Sequence, residues 1–510
     1  MKKHIELFLK STVLLCCTAA LGSCELESED YNSVNDTVFP KTETDADMLV
    51  TGSAYEVFRM AGWSGIFADD VSTSYIGACD IVISKAGQWH PFTWGNFRID
   101  MYPLNQLWNA TYTKLSLFKQ VEDMLGYLHY TDAKIRARQI AEMKLAQGWL
   151  AFQLWTVYGN IPLIPVEALN NPLDDKEYPR ATDEEMDEYI VSNLTEAIPD
   201  LDPIYSYGDP DYGRFTQALG HMILLRYYMQ KRDWEKAEAE GRELMDPKYG
   251  LEIIPKYRDL FTLAGEGNKE TIWSCVAERG IIDGTGVFVS NSLPFDYDCG
   301  VAACQKWNGN ALTWPFYHSF EEGDQRITDG MVIAEYIGTS GEDHSYANDY
   351  QNGDSSHQLY WGPAAVKYEV DPNTTGYDSD IDWIVYRYAD AITLLAEAIV
   401  KQDGPTQEAL ELMNRVRTRA GLEAYEMADV PDTETFMEKL LEERAHELWW
   451  ENDFRRLDLL RNDLWDEKMK EKCNFYGETA YIGKKEYELY PIPTQAIVDS
   501  GNAIAQNPGY

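Results

Sequence analysis

An apolar residue at every third or fourth position, sustained over most of a 510-residue chain, constrains it to a helical scaffold before anything else is read. At Thr182-Asp183-Glu184-Glu185 the hydroxyl and the last carboxylate stand three apart, the spacing with which each satisfies the other's backbone N–H at a helix start. Met186, Ile190, Leu194 and Ile198 then follow at every fourth residue, so one face packs inward. Residues 140–158 predict a second amphipathic helix carrying Trp149 and Phe152, stopped by Gly159 and Pro162. Residues 215–245 predict two helices around a turn at Lys231-Arg232-Asp233-Trp234, with Leu219, Leu224 and Tyr228 on the first and Pro247 just beyond the second. Residues 386–422 repeat the theme, with Ala389, Leu394 and Ala398 on one helix and Leu410, Met413 and Val416 on the next. The expected fold class is mainly α, and 45% hydrophobic residues suffice for a sizeable core.

Such helix pairs resemble tetratricopeptide units, which stack through small residues and share a core. Between them the composition changes. Residues 280–382 are rich in Gly, Asn, Asp, Ser, Tyr and Trp and signal few regular elements, and residues 62–102 form a second loop-rich stretch holding Trp63, Trp89 and Trp94. Long irregular segments on a rigid frame are where binding groups are placed. The 15 Trp and 33 Tyr exceed what an ordinary core needs and point to recognition by stacking.

Charge excludes one class of partner. With 85 Asp plus Glu against 44 Lys plus Arg the chain carries −41, so it is not expected to neutralise a nucleic-acid backbone. It begins Met1-Lys2-Lys3-His4, followed by an apolar run from Ser11 to Leu21 too short to span a bilayer, the form of a secretory signal. That run ends in Leu21-Gly22-Ser23-Cys24, which resembles a bacterial lipobox, so residues 1–23 are expected to be a lipoprotein signal peptide and Cys24 the lipidated residue. Residues 24–40, opening on the acidic Glu25-Leu26-Glu27-Ser28-Glu29-Asp30, are expected to be a tether, and residues 41–510 a single domain. No later stretch approaches 18 uninterrupted apolar residues, which leaves the lipid as the expected membrane anchor. Five cysteines follow: Cys79, Cys275, Cys299, Cys304 and Cys473. Cys299 and Cys304 are spaced to close a small loop, and with no CxxC pair or His cluster beside them structural zinc is not expected there.

Three patterns invite catalytic or metal readings. Glu442-Glu443-Arg444-Ala445-His446-Glu447, followed by Arg455-Arg456-Leu457-Asp458, concentrates acids and bases, but such spacing also makes intrahelical pairs and Arg forks between helices, and it is read as scaffolding. His446-Glu447-Leu448-Trp449-Trp450 misses the HExxH zinc helix because Trp450 stands where the second His is needed. Asp371, Asn373, Thr375, Gly376 and Asp382 fall at calcium-loop spacing, yet no helix precedes them and Asp replaces the final Glu; a solvated turn is expected, no cofactor is required, and calcium is the one ion the pattern leaves open. Asp69-Asp70 has the chemistry of a glycosidase centre, but adjacent residues do not by themselves straddle a sugar.

Several segments together resemble the SusD/RagB family of surface lipoproteins that pair with TonB-dependent outer-membrane transporters. They are Ala141-Glu142 through Trp155-Thr156-Val157-Tyr158-Gly159-Asn160-Ile161-Pro162-Leu163, Pro179-Arg180-Ala181-Thr182, Gly213-Arg214-Phe215-Thr216 and Tyr386-Arg387-Tyr388-Ala389-Asp390. Asn414-Arg415-Val416-Arg417-Thr418-Arg419-Ala420-Gly421, Glu443-Arg444-Ala445-His446-Glu447-Leu448, Arg456-Leu457-Asp458-Leu459, Tyr490-Pro491-Ile492-Pro493 and Gln506-Asn507-Pro508-Gly509-Tyr510 complete the series. The resemblance implies a SusD-like α-helical fold with tetratricopeptide-like pairs on one side and a loop-rich ligand-binding side. It also implies an outer-membrane lipoprotein facing the exterior, a SusC-like transporter as partner, an oligosaccharide or polysaccharide as cargo, and no catalysis. Peptide cargo, as in RagB-like relatives, is the first alternative; a surface glycoside hydrolase and an inert scaffold are others. A sugar ring has a C–H face that suits flat aromatic groups and a hydroxyl rim that suits amides and carboxylates. The candidate ligand residues are therefore Asp69, Asp70, Trp89, Trp94 and Asn96 in the first loop region and Tyr297, Trp307 and Trp361 in the second, although each ring alone serves equally well as a packing group.

Overall fold

A computed structural model describes residues 39–59, 66–67, 76–85, 87, 89–171, 173, 176–282, 284–479 and 485–510. Helix α1 (Glu43–Val50) opens on a capping box in which Thr42 and Asp45 satisfy each other's backbone N–H. Two long helices follow, α2 (Tyr102–Tyr127) with Pro103 in its first turn and α3 (Ala133–Tyr158), capped by Asp132 and ended at Gly159 with φ 72°. The periodicity from residue 140 onward underestimates α3, which starts at Ala133 among polar residues whose helical preference carries no apolar face. In α4 (Asp183–Ala197) the Thr182 hydroxyl accepts from Glu185 N and Glu185 accepts from Thr182 N, as the sequence predicts.

The two predicted pairs also form. α5 (Gln217–Lys231) turns through Arg232, at φ 57°, into α6 (Trp234–Glu243), whose first turn Asp233 caps. α7 (Tyr388–Asp403) is followed by α8 (Gln407–Arg419), then α9 (Thr433–Leu448), α10 (Phe454–Arg461) and α11 (Trp465–Tyr476). Packing runs α2 on α3, α3 on α4, α5 on α6, α6 on α7 and α7 on both α8 and α9, so each helix covers the apolar face of its neighbour. Among the described residues no helix is long and apolar enough to cross a membrane.

Strands are short and pair antiparallel, some of them joining distant segments. β1 (Val82–Ser84) pairs with β3 (Asn310–Leu312), β2 (Thr271–Cys275) with β8 (Trp383–Arg387), β4 (Val332–Ile333) with β7 (Ala364–Ala365) and β5 (Tyr336–Ile337) with β6 (Asp343–His344). The β1–β3 register, Val82 opposite Leu312 and Ser84 opposite Asn310, binds the first loop-rich region to the second.

Much of the aromatic surplus is core. Trp94, Trp149, Trp314, Trp383, Trp449 and Trp465 are all fully buried. Phe58 stacks on Trp149 at 4.2 Å, and the Trp149 indole N–H donates to Tyr386 Oη at 3.1 Å. The charge-rich α9 segment is scaffolding, though of another kind from intrahelical pairing. Arg444 donates to Asp458 at 2.8 and 2.9 Å and to Asp390 of α7 at 2.9 Å, Arg461 of α10 forks onto Glu397 of α7 at 2.8 and 2.7 Å, and Arg387 of β8 holds Glu270, Glu447 and Glu451. All of these side chains are buried, so the guanidinium forks act as cross-braces between elements.

Candidate functional site

The two loop-rich regions meet at a small polar knot. Lys85, directly after β1, donates from Nζ to Asn308 Oδ1 at 2.6 Å and to the Gln358 carbonyl at 3.0 Å. Asn308 Nδ2 donates to Gln358 Oε1 at 2.9 Å, and the same oxygen accepts Phe295 N–H at 3.1 Å. Asn308 takes φ 48°, a conformation that Asn tolerates better than most residues, and so turns the chain between Trp307 and β3. Burial pushes the Lys85 ammonium down to about 7, opposed by the nearby Asp349 carboxylate.

The candidate rings lie on the segments this knot ties together. Trp307 immediately precedes Asn308, is half-buried, and meets Tyr377 at 5.6 Å. Trp361 lies three residues after Gln358, is half-buried, and packs against His90 at 5.2 Å and Tyr360 at 4.9 Å. Trp89, half-buried, stands at the N-terminus of the short helix His90–Thr93, whose His90 Nδ1 lies 2.8 Å from the Ser84 carbonyl. Tyr297 is half-buried with its ring 5.3 Å from Tyr336, and its carbonyl accepts from Lys306 Nζ at 2.8 Å. Asn96 is half-buried beyond that short helix, its N–H bonded to the Pro91 carbonyl.

Trp94 departs from the expectation of a ligand-facing ring. It is 0% exposed, donates from Nε1 to His90 Nε2 at 3.1 Å and packs against Trp361 and Tyr476, so in this structure it is a packing group. Asp69, Asp70 and Cys24 lie outside the described residues. Phe295 went unnoticed in the sequence: it is 59% exposed on the segment pinned by Gln358, a large apolar ring held out to solvent. A lone Phe before Asp296-Tyr297 has no periodic signal, whereas the amide that pins it comes from a residue 63 positions away.

The other chemical readings resolve locally. His446 lies 2.8 Å from Ser319 Oγ and stacks on Phe320 at 4.1 Å, and burial together with Arg326, Arg455 and Arg417 pushes its imidazole down to about 2, so the ring is neutral. Asp371 at the calcium-like spacing spends Oδ1 on Asn373 N–H and Oδ2 on Asp380 N–H, while Asp382 accepts from Ala277 N–H, Ser274 Oγ and Tyr212 Oη. Cys299 and Cys304 are thiols, and burial followed by the neighbouring Cys299 pushes Cys304 up to about 11. Three grooves open away from the knot: one of about 530 Å³ beside Trp155 and Arg180, one of about 670 Å³ beside Lys119 and Tyr189, and one of about 260 Å³ beside Tyr207 and Trp273.

The sequence profile of the SusD family matches residues 305–510. A SusD-like protein, P2, of Formosa agariphila is 22% identical over an alignment covering 100% of both chains. Residues 305–510 thus match the SusD family, and the chain over its whole length is similar to a SusD-like protein. Two solved structures share the SusD-like fold. Surface glycan-binding protein A from Bacteroides thetaiotaomicron, in complex with laminarihexaose, superposes with a TM-score of 0.73 at 18% identity, covering 92% of this chain and 100% of that one. A laminarin binding SusD-like protein gives 0.72 at 22% identity with the same coverage. The matched SusD segment holds Trp307, Trp361 and helices α7 to α11; Trp89, Trp94 and Asn96 precede it and reach it through β1–β3 and the knot.

Proposed function

We propose that this chain is a SusD-family protein that captures an oligosaccharide on its loop-rich side and delivers it to a partner TonB-dependent outer-membrane transporter, tethered to the membrane by lipid on Cys24. The observation that supports the reading is that the segments bearing Trp307, Trp361 and the exposed Phe295, and the one that follows β1 toward Trp89, are tied to one another by Lys85, Asn308 and Gln358. Flat rings suit the C–H face of a pyranose, and polar groups such as the half-buried Asn96 amide suit its hydroxyls. Support also comes from the fold, which a protein solved with laminarihexaose shares. Nothing in capture requires a covalent step: the ring faces exclude water from C–H groups, the rim exchanges hydrogen bonds with hydroxyls, and a moderate affinity permits release into the transporter.

Thermal unfolding of the purified protein with a panel of β-glucan oligosaccharides, other glycans and peptides tests this, because a ligand of the folded state raises the midpoint by mass action. A glycan is expected to raise it, and Phe295→Ala and Trp307→Ala are each expected to weaken that glycan by about tenfold, the scale of about 1.4 kcal/mol, with the ligand-free midpoint little changed. A shift with peptides and none with any glycan would overturn the cargo assignment.

A further inference from the structure

Beside the aromatic face, residues 342–357 together with Asp296 gather two imidazoles and four carboxylates. β6 sets His344 opposite Tyr336 of β5, whose ring stacks on the imidazole at 4.7 Å, and His344 is only 2% exposed. Its Nδ1 lies 3.0 Å from Oδ2 of Asp349, a fully buried carboxylate fixed by the Leu359 N–H at 2.7 Å. When the ring is neutral, Nδ1–H donates to that carboxylate and the Nε2 lone pair faces Asp296 and Glu342. Facing Nε2 are Asp296 Oδ2 at 3.2 Å and Glu342 Oε2 at 3.9 Å, and Glu342 Oε1 lies 3.3 Å from Nδ1 of His357. Electron-pair donors converging on one point repel each other unless a cation lies among them. Among the described residues no lysine or arginine forms an ion pair with Asp296, Glu342 or Asp354, while Asp349 feels the nearby Lys85 ammonium without a direct ion pair.

We propose that Glu342, His344 and His357 form a binding site for a divalent transition cation of the zinc type. One ligand atom from each of the three lies within 4.8 Å of the others, a spread that small side-chain rotations contract to the edge of a zinc coordination shell. Two imidazoles and a carboxylate select a borderline cation of the zinc class over calcium or magnesium, which take oxygen ligands. Asp349 is the outer carboxylate that fixes the His344 tautomer, and Asp296 stands beside the remaining position, where it or a water completes the shell. Glu342 is about half exposed, which gives the cation an entry path. The cation would tie β6 to His357, next to the Gln358 that holds Phe295, Asn308 and Lys85, and so would brace the aromatic face from behind. The site stands whatever that face binds.

The test uses the full chain, stripped of metal with a chelator and titrated calorimetrically with ZnCl2, with bound metal counted by plasma mass spectrometry. One Zn2+ per chain is expected. His357→Ala and Glu342→Gln change groups that are not core, so both are expected to fold and to lose affinity by about tenfold to 100-fold or more. Asp343→Asn, on the opposite face of β6, is expected to leave binding unchanged. Three outcomes overturn the proposal: no Zn2+ uptake, which would make His344 an imidazolium held by its carboxylates; uptake of CaCl2 in preference to ZnCl2; or equal losses in Asp343→Asn and Glu342→Gln, which would reduce the effect to general attraction by acidic groups.

Discussion

At the scale of single residues, Asp382 sits where a carboxylate is costly. It is buried, with Glu266 close by, and burial followed by that like charge pushes its carboxyl up to about 7 despite hydrogen bonds from Ala277, Ser274 and Tyr212. In the unfolded chain the same group titrates near 3.8. The folded state therefore holds the proton more tightly, so its contribution to stability is full below about 3.8, falls as pH rises, and is gone above about 7, an amount on the order of 4 kcal/mol. Asp382→Asn removes the titration while keeping an acceptor for Ala277 N–H. Urea unfolding at intervals from pH 4 to 8 is expected to show the variant gaining on the parent as pH rises, and a constant difference would contradict the assigned cause. Residues of this kind were the least legible from sequence. Trp94 and Trp307 look alike in a string of letters; only the closing of His90, Trp361 and Tyr476 around the first buries it. Lys85, Asn308 and Gln358, which organise the candidate face, belong to no periodic pattern, and neither do the metal-seeking His344 and His357, thirteen positions apart.

Helices were far more legible, because caps and apolar spacing are local. The box at Thr182 and Glu185, the Arg232 turn between α5 and α6, and the pairing of α7 with α8 all stand where the spacing puts them. Strands of two to five residues leave too short a trace, and their partners lie up to 230 residues away, as in β1 and β3. Helix contact also depends on a detail that periodicity misses. Gly148 in α3 lets α4 approach until an added Cβ would stand 2.8 Å from Leu194 Cγ and 3.1 Å from the Ile190 carbonyl. Two effects compete in Gly148→Ala: helix propensity favours alanine by about 1 kcal/mol, and overpacking costs about 1–3 kcal/mol. Leu194 Cγ is a branch point close to its backbone and the other neighbour is main chain, so neither yields cheaply and the clash should win. The variant is expected to unfold at lower urea concentration than the parent; an unchanged or higher midpoint would mean that α4 slides away freely.

Over the whole molecule, the cross-braces and the titrating groups combine into one acid profile. Arg419, Arg387 and Arg326 hold the Glu447 carboxyl down to about 2 against its burial, so the folded state binds fewer protons than the unfolded chain once pH drops below about 4.5, and that part of the stability is lost on acidification. His446 acts earlier with the same sign. Its folded value near 2 lies below the ordinary 6.5, so the stability it contributes is full above 6.5 and is lost progressively as pH falls, by about 2 kcal/mol at pH 5. Asp382 works in the opposite direction between about 7 and 4, so the two nearly offset there, and the thermal midpoint is expected to stay level from about pH 6.5 to 4.5 before dropping steeply as the Arg-held carboxylates protonate. His446→Gln separates the contributions. The glutamine keeps a polar atom for Ser319 but loses the stack on Phe320, so the variant should be less stable than the parent at pH 8. Without an imidazole that the unfolded chain protonates, it should close that gap as pH falls from 6.5 to 4.5. Calorimetric midpoints of both proteins across this range decide it: parallel curves would mean that His446 accepts a proton inside the fold, and that the Arg-rich surroundings do not keep it neutral.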